Sequence, residues 1–83
     1  MIRDELMLDE ILLFENYSYD DALIGVTHDD RAVYDFDKMV TWLMDLEGWT
    51  YEEAVEWIEY NTLRALAYMG PEAPVVIYSF EEI

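Results

Sequence analysis

The chain has no cysteine, which excludes disulfides, thiolate metal sites and cysteine-based catalysis. It also has no apolar run near the roughly 20 residues that a helix needs to span a bilayer. Its first stretch, MIRDELMLDE, is acidic, whereas a secretory signal peptide begins with basic residues. These absences predict a cytoplasmic protein, and a length of 83 residues predicts one small domain spanning residues 1–83.

Basic residues are scarce as well. Four lysines and arginines stand against 20 aspartates and glutamates, so the formal net charge is −16. Self-repulsion of this size destabilises a compact state, and an ordinary small domain gains little from it. The acidic residues are spread along the chain, which predicts a folded acidic surface rather than a disordered tail. Such a surface disfavours direct binding to nucleic acid or to an anionic membrane and favours a basic protein partner.

The clearest structural pattern lies between Thr50 and Asn61 and predicts a helix. Thr50 and Glu53 have the spacing of a capping box, in which each side chain bonds the backbone N–H of the other residue. Apolar and small residues then recur at helical spacing and predict a buried stripe. The stripe comprises Tyr51, Ala54, Val55, Ile58 and Thr62.

Two further helices are predicted upstream. One covers residues 4–14 and has a broad apolar side. The other is capped by Asp35 or Asp37, runs to about Glu47 and ends at Gly48. Its predicted inward residues are Phe36, Met39, Val40, Leu43 and Leu46.

Short runs of β-branched and aromatic residues predict a hairpin formed by residues 23–27 and 31–35. Asp29 and Asp30 are the two expected turn residues. This register pairs Val26 with Val33 and Gly25 with Tyr34. The side chains expected to face the helices are Ile24, Val26 and Val33.

Residues 75–80 predict a final strand, and Pro74 before it suits the start of an edge strand. The predicted order of elements is α-β-β-α-α-β. A three-stranded antiparallel sheet with helices packed mainly on one face satisfies this order. The chain is therefore expected to belong to the α+β class.

Candidate catalytic and metal-binding groups are few. His28 stands beside Asp29, but acid–base chemistry needs a positioned constellation of further groups, which the sequence does not indicate. Asp29, Asp30, Asp35 and Asp37 are carboxylates of the kind that calcium binds, yet they lack the spacing and glycine of a calcium loop. We therefore expect no catalytic residue, no metal and no cofactor. A carboxylate-based metal-binding protein remains a third possible class of function, after the two that follow from charge and aromatic content.

The outer side of the helix that begins at Thr50 is the predicted partner-binding face. Glu52, Glu56 and Glu59 share this side and lie about 5–6 Å apart at their three- and four-residue spacings. Phosphates along a nucleic-acid strand have a similar order of separation, so the row is able to imitate a nucleic-acid backbone. The alternative is an ordinary solvated helix face. The full set of candidate residues is Glu52, Glu53, Glu56, Trp57, Glu59 and Tyr60.

Aromatic residues are too numerous for a small core, since the chain has three Trp, seven Tyr and three Phe. Trp42, Trp57 and Tyr60 fall outside the main buried stripes. Trp and Tyr dominate binding hot spots, so these three side chains favour an interface, with partial burial under neighbouring helices as the alternative. A homodimer would use the same residues.

Four stretches carry a resemblance to known proteins: RAVYDFDKMVTWL at residues 31–43, EGWTYEEAVEWIEYNTLRAL at 47–66, YMG at 68–70 and PVVIY at 74–78. Together they resemble a group of small acidic proteins encoded by phages, prophages and other mobile elements of Firmicutes and Actinobacteria. That group tends to carry a glycine where Asp30 stands and a proline near Ala67. The resemblance implies a mobile-element context, in which small acidic proteins are often inhibitors of host defence, including anti-CRISPR and anti-restriction proteins.

Charge and resemblance together give the leading expectation. The protein is expected to be a non-enzymatic inhibitor in the host cytoplasm that binds a basic, nucleic-acid-binding surface of a host defence protein, as a nucleic-acid mimic. The alternative is a small homodimeric accessory or scaffold protein without an inhibitory role. Salt separates the two, because charge mimicry weakens steeply with ionic strength and an apolar dimer does not.

Overall fold

Two helices and a three-stranded sheet form the part of the chain that the computed structural model describes, residues 11–15 and 17–79. The elements are β1 (Leu23–Val26), β2 (Ala32–Asp35), α1 (Phe36–Glu47), α2 (Tyr51–Trp57) and β3 (Val75–Ile77). This content confirms the α+β class. The helix predicted over residues 4–14 lies largely outside the described residues, and its last part, 11–14, is not helical.

The strand order in the sheet is β1-β2-β3, with β3 at one edge as predicted. β1 and β2 are antiparallel, but β2 and β3 are parallel, so the prediction of a wholly antiparallel sheet is wrong. The reason is the connection: both helices lie between β2 and β3, and a crossover of that length returns the chain to run in the same direction. The parallel pairs are Val33 with Val75, Tyr34 with Val76, and Asp35 with Ile77.

The hairpin turn is one residue longer than predicted. Thr27 accepts a bond from the Asp30 N–H at 3.0 Å, and its own N–H donates to the Arg31 carbonyl at 2.8 Å. The loop therefore contains residues 28–30, with Asp30 in the left-handed region at φ 67°. This is the three-residue loop in which a turn is followed by a left-handed residue. The observed pairs are Leu23 with Tyr34, Gly25 with Val33, and Val26 with Ala32, with an irregularity between Leu23 and Gly25.

The predicted face of β2 is wrong for the same reason, because a shift of one residue changes which of its side chains lie on the core side. In β1, Val26 pairs with Ala32 and keeps its predicted side, while Ile24 falls at the irregularity. Tyr34 and Ala32 are fully buried in the core, whereas Ile24 is 43% exposed. Tyr34 also packs on Phe14, with ring centroids 4.7 Å apart, and its hydroxyl accepts a bond from the Phe14 N–H at 3.3 Å. Tyr34 thereby attaches the segment 11–15 to β2.

Both predicted ends of α1 are confirmed. The Asp35 side chain accepts a bond from the Lys38 N–H at 3.1 Å, and Gly48 follows the helix at φ 73° with its N–H bonded to Met44. The predicted buried residues Phe36, Met39, Val40 and Leu43 are buried. Leu46 is not, since it lies in the last turn at the border of the apolar stripe and is 56% exposed.

The capping box of α2 is also confirmed. The Thr50 hydroxyl accepts a bond from the Glu53 N–H at 3.2 Å, and the Glu53 carboxylate accepts one from the Thr50 N–H at 2.9 Å. Ala54, Ile58 and Thr62 are buried as predicted, and Val55 is partly buried. Tyr51 is 56% exposed, so its place in the stripe is wrong. No helix in the described ranges is long and apolar enough to cross a bilayer.

After Trp57 the helical backbone widens into a π-helix over Ile58–Leu63 and then tightens into a 3₁₀ turn at Leu66–Tyr68. The Asn61 amide nitrogen donates to the Trp57 carbonyl at 3.0 Å inside this segment. π-helical turns are rare and occur frequently at functional sites. Here the widened segment lies directly beside the residues predicted to bind a partner.

The loop before β1 also supplies residues of the core. Tyr19 is fully buried, and its hydroxyl lies 2.7 Å from the Thr62 hydroxyl. Burial raises the pKa of Tyr19 to about 12, although the bond to Thr62 lowers it. Tyr17 and Tyr19 have φ of 67° and 52°, which non-glycine residues rarely adopt. Such backbone conformations raise the free energy of the folded state, and aromatic packing holds the loop against the helices despite this strain.

Candidate partner-binding site

The predicted acidic residues form an exposed row on the outer side of α2 and the first turn of the π-helix. Glu52, Glu53, Glu56 and Glu59 are all exposed, while Ala54 and Ile58 on the other side are fully buried. The capping box fixes where the helix starts, and the buried residues fix which side faces outward. The structure therefore presents these four carboxylates to solvent on one element.

Beside this row is an open cleft of about 330 Å³, which we call the α2 cleft. Its lining residues are Trp49, Glu53, Glu56, Trp57, Tyr60 and Asn61. Four of the six predicted site residues therefore meet in one concave surface, and Glu52 and Glu59 lie outside its lining. Trp49 and Asn61 were missed, although Trp49 stands directly before the capping box and Asn61 stands four residues after Trp57.

Aromatic rings form much of the wall of the α2 cleft. The centroids of Trp49 and Trp57 are 6.4 Å apart and their planes are inclined at 41°, so the two indoles make an angled pair rather than a stack. Tyr60 is 62% exposed. Trp and Tyr side chains contribute large contact areas to binding sites. The α2 cleft thus combines an apolar wall with carboxylates at the same place.

Trp57 is held in position by Tyr17. The Tyr17 ring meets Trp57 edge-to-face with centroids 4.8 Å apart, and its hydroxyl donates to Glu47 at 2.6 Å. The bond to the Glu47 carboxylate raises the pKa of Tyr17, because ionisation would lose the bond and place two negative charges together. The hydroxyl therefore stays protonated and bonded at neutral pH. Tyr17 links the end of α1 to the wall of the α2 cleft.

A second and larger cleft of about 520 Å³ lies along α1, and we call it the α1 cleft. It too is acidic, but it contains a lysine. Its lining residues are Asp21, Asp37, Lys38, Thr41, Trp42, Asp45 and Leu46. Trp42, one of the three aromatic residues predicted to lie outside the main stripes, faces this cleft and not the α2 cleft.

The acids around the hairpin turn serve the turn itself. The Thr27 hydroxyl donates to the Asp29 carboxylate and accepts a bond from the Arg31 N–H at 3.0 Å. The bond from Thr27 lowers the pKa of Asp29, with smaller contributions from His28 and Arg31. His28 is exposed. Within residues 11–15 and 17–79, no three His, Asp or Glu side chains are grouped so as to hold a metal ion.

The groups that line the α2 cleft are of the kind that attracts cations. Carboxylates attract positive charge directly, and the faces of Trp and Tyr rings attract it through their quadrupoles. Both kinds of group line the same cleft, beside a row of further exposed carboxylates.

Comparison of the chain with protein-family models, with curated proteins and with solved structures found no match to any of them.

Proposed function

We propose that this protein is a non-enzymatic inhibitor that binds a basic protein surface through the outer side of α2 and the α2 cleft. The surface it covers is one that otherwise holds nucleic acid. The observation that carries the proposal is that four exposed carboxylates on the helical segment beginning at Tyr51 lie beside an aromatic cleft. Carboxylates supply the charge of a phosphate backbone, and the aromatic rings supply contact area.

The charge of the whole chain supports this proposal. With 20 acidic and four basic residues, one-to-one pairing leaves most carboxylates without a basic partner inside the chain. A field of one sign steers an oppositely charged protein and raises the rate of encounter. It also repels nucleic acid, so the protein competes with nucleic acid for a basic surface instead of binding it.

The class of partner is part of the proposal. The stretches at residues 31–43, 47–66, 68–70 and 74–78 resemble acidic proteins of phages and other mobile elements. In that context the basic surface belongs to a nucleic-acid-binding host defence protein, in the manner of an anti-CRISPR or anti-restriction inhibitor. The place of action is then the host cytoplasm.

A homodimeric scaffold is the second candidate, and exposed apolar side chains favour it. Leu46 and Tyr51 are each more than half exposed, and Tyr68 is 89% exposed. Exposed aromatic and aliphatic side chains of this size are typical of interfaces. Against a dimer stands the repulsion between two chains that each carry a net charge of −16.

Binding kinetics against a partner captured from host lysate, with DNA as competitor, test the proposal. Reversal of Glu52, Glu56 and Glu59 to Lys is expected to slow association by about tenfold or more at low salt, because encounter depends on charge. DNA should displace the inhibitor from its partner. The parent complex should also weaken steeply as salt rises.

A matched control is available on α1. Reversal of the exposed residues Asp21, Asp37 and Asp45 to Lys makes the same change in net charge around the α1 cleft. If this control slows association as much as the α2 variant, the total field and not the outer side of α2 is responsible. If the α2 variant associates as fast as the parent at low salt, the proposed binding face is wrong. An association rate that does not change with salt concentration would favour the homodimeric scaffold instead.

A further inference from the structure

We infer that the α2 cleft holds an arginine side chain of the basic partner, so that this one residue anchors the complex. The inference rests on the proposed function and adds the chemistry of the contact. The outer row of carboxylates acts over distance, whereas the α2 cleft is concave and takes a side chain. Its volume of about 330 Å³ lies at the lower end of ligand pockets, roughly 300–1,000 Å³, and suits a single side chain.

The aromatic wall favours a guanidinium group. Arginine is planar and weakly hydrated, so it stacks on indole and phenol rings with little loss of hydration. Trp49 and Trp57 offer two ring faces inclined at 41°, and Tyr17 holds Trp57 in place at 4.8 Å. Tyr60 adds an exposed ring at the same cleft. The ammonium of lysine is compact and strongly hydrated, and gains less from such a wall.

The polar groups of the α2 cleft match the donors of a guanidinium. One oxygen of Glu53 already accepts the Thr50 N–H at 2.9 Å, so Glu56 is the carboxylate better able to accept a bidentate pair. The Asn61 amide nitrogen donates one of its two N–H groups to the Trp57 carbonyl at 3.0 Å, and the amide oxygen remains as an acceptor. Arginine carries five N–H donors and no acceptor, so the Glu56 carboxylate and the Asn61 amide oxygen both suit it.

The α1 cleft lacks this combination. It contains one tryptophan rather than an angled pair, and Lys38 contributes a positive charge to its lining. A partner cation entering it would meet that ammonium. The two clefts therefore differ in the residue type they select. Trp42 reports on the α1 cleft and Trp49 on the α2 cleft, whereas Trp57 lines both the α2 cleft and a third cleft beside Leu12, Leu13 and Met69.

The test is a titration of ¹⁵N-labelled protein with hexa-arginine amide and with hexa-lysine amide at low salt. The three indole N–H signals are followed by NMR. Hexa-arginine is expected to shift the signals of Trp49 and Trp57 and to leave that of Trp42 in place. It should bind about fivefold more tightly than hexa-lysine, a difference of about 1 kcal/mol.

Two variants with the same loss of charge locate the contact. Glu56→Gln removes a carboxylate that lines the α2 cleft, and Glu52→Gln removes one from the same helix outside the lining. Glu56→Gln is expected to weaken hexa-arginine binding by about fivefold. Glu52→Gln should weaken it by less than about twofold, because only long-range attraction is lost.

Several outcomes would overturn the inference. Equal affinity for the two peptides, or equal loss in the two variants, would show diffuse attraction; the proposed function would then stand without an arginine anchor. A shift confined to Trp42 would move the contact to the α1 cleft. If neither peptide binds at low salt, the acidic surface does not capture basic chains, and the proposed function fails together with the inference.

Discussion

The two sides of the helical segment 51–63 differ in almost every physical respect. One side is formed by Ala54, Ile58 and Thr62, which are buried in the core, with Thr62 bonded to Tyr19. The other carries Glu52, Glu56 and Glu59 in water. Burial of apolar surface stabilises the fold, whereas exposed like charges slightly destabilise it. The comparison teaches that stability and partner binding belong to opposite sides of one element and should respond to separate substitutions.

The largest expected effect is on the buried side. Ile58 is fully buried, so Ile58→Ala should cost about 2–5 kcal/mol of unfolding free energy through lost contacts and the cavity left behind. Ile58→Val is the graded control, with a cost of about 0.5–1.5 kcal/mol. Urea unfolding followed by circular dichroism measures both. An unchanged midpoint for Ile58→Ala would place Ile58 on the surface and remove the contrast between the two sides.

A smaller effect is expected where the buried side meets Tyr19. Tyr19→Phe removes the 2.7 Å contact with Thr62 and should cost about 0.5–1.5 kcal/mol near neutral pH. The parent should also lose stability as pH rises from about 10 to about 12. In that window the unfolded chain releases the Tyr19 proton and the folded chain keeps it, because burial raises the pKa in the folded state.

Unfolding at pH 8 and at pH 11 measures this loss, with the Phe variant as the control. The decline between the two pH values should be smaller in the variant than in the parent. The remaining tyrosines and the denatured ensemble contribute equally to both proteins. If the two proteins lose the same stability, the Tyr19 hydroxyl does not titrate abnormally and its burial contributes nothing to the pH dependence.

The smallest effect belongs to the exposed side and has the opposite sign. Changing Glu56 and Glu59 to Gln should stabilise the fold by about 0.2–0.5 kcal/mol at low salt, because it removes the repulsion between two like charges three residues apart. The gain should vanish near molar salt, where repulsion is screened. Thermal melts at low and high salt measure it. A loss of stability instead would mean that these carboxylates make favourable contacts within the fold, and the two sides would no longer be independent.

Local signals in the sequence predicted the helical half well. Asp35, Gly48 and the pair Thr50 and Glu53 act within three or four residues of themselves, so their effect does not depend on the rest of the fold. The π-helix after Trp57 was not predicted, because no residue type marks it. The predicted burial of Leu46 and Tyr51 was also wrong, because the width of a buried stripe depends on which other elements pack over the helix.

The sheet was predicted less well, because one error in a turn changes the pairing of every residue that follows it. Placing Asp29 and Asp30 as a two-residue turn shortened the loop by one residue and inverted the faces of β2. The left-handed backbone of Asp30 is the local cause, because glycine is the residue type that marks such a conformation and an aspartate gives a weaker signal. The two helices between β2 and β3 were predicted, but the direction in which β3 joins the sheet depends on how those helices pack, which the local pattern does not reveal.

The candidate site was predicted in part. Spacing along one helix was enough to place Glu53, Glu56, Trp57 and Tyr60 near one another. Trp49 comes from the loop before the helix, and the support from Tyr17 comes from a loop 40 residues away in the sequence. Contacts between distant segments depend on tertiary packing. The helical spacing was therefore enough to predict the row of charges, whereas the cleft was seen only in the structure.

The parallel pairing of β3 with β2 also imposes an order of assembly. The Arg31 side chain donates to the carbonyl of Ala73, 42 residues later, and β2 lacks its neighbour until that part of the chain is present. Contacts of such separation form late, after hairpins and helices built from near neighbours. During synthesis one edge of β2 therefore stays unpaired, a template for joining another chain. Repulsion between copies that each carry a net charge of −16 opposes such joining.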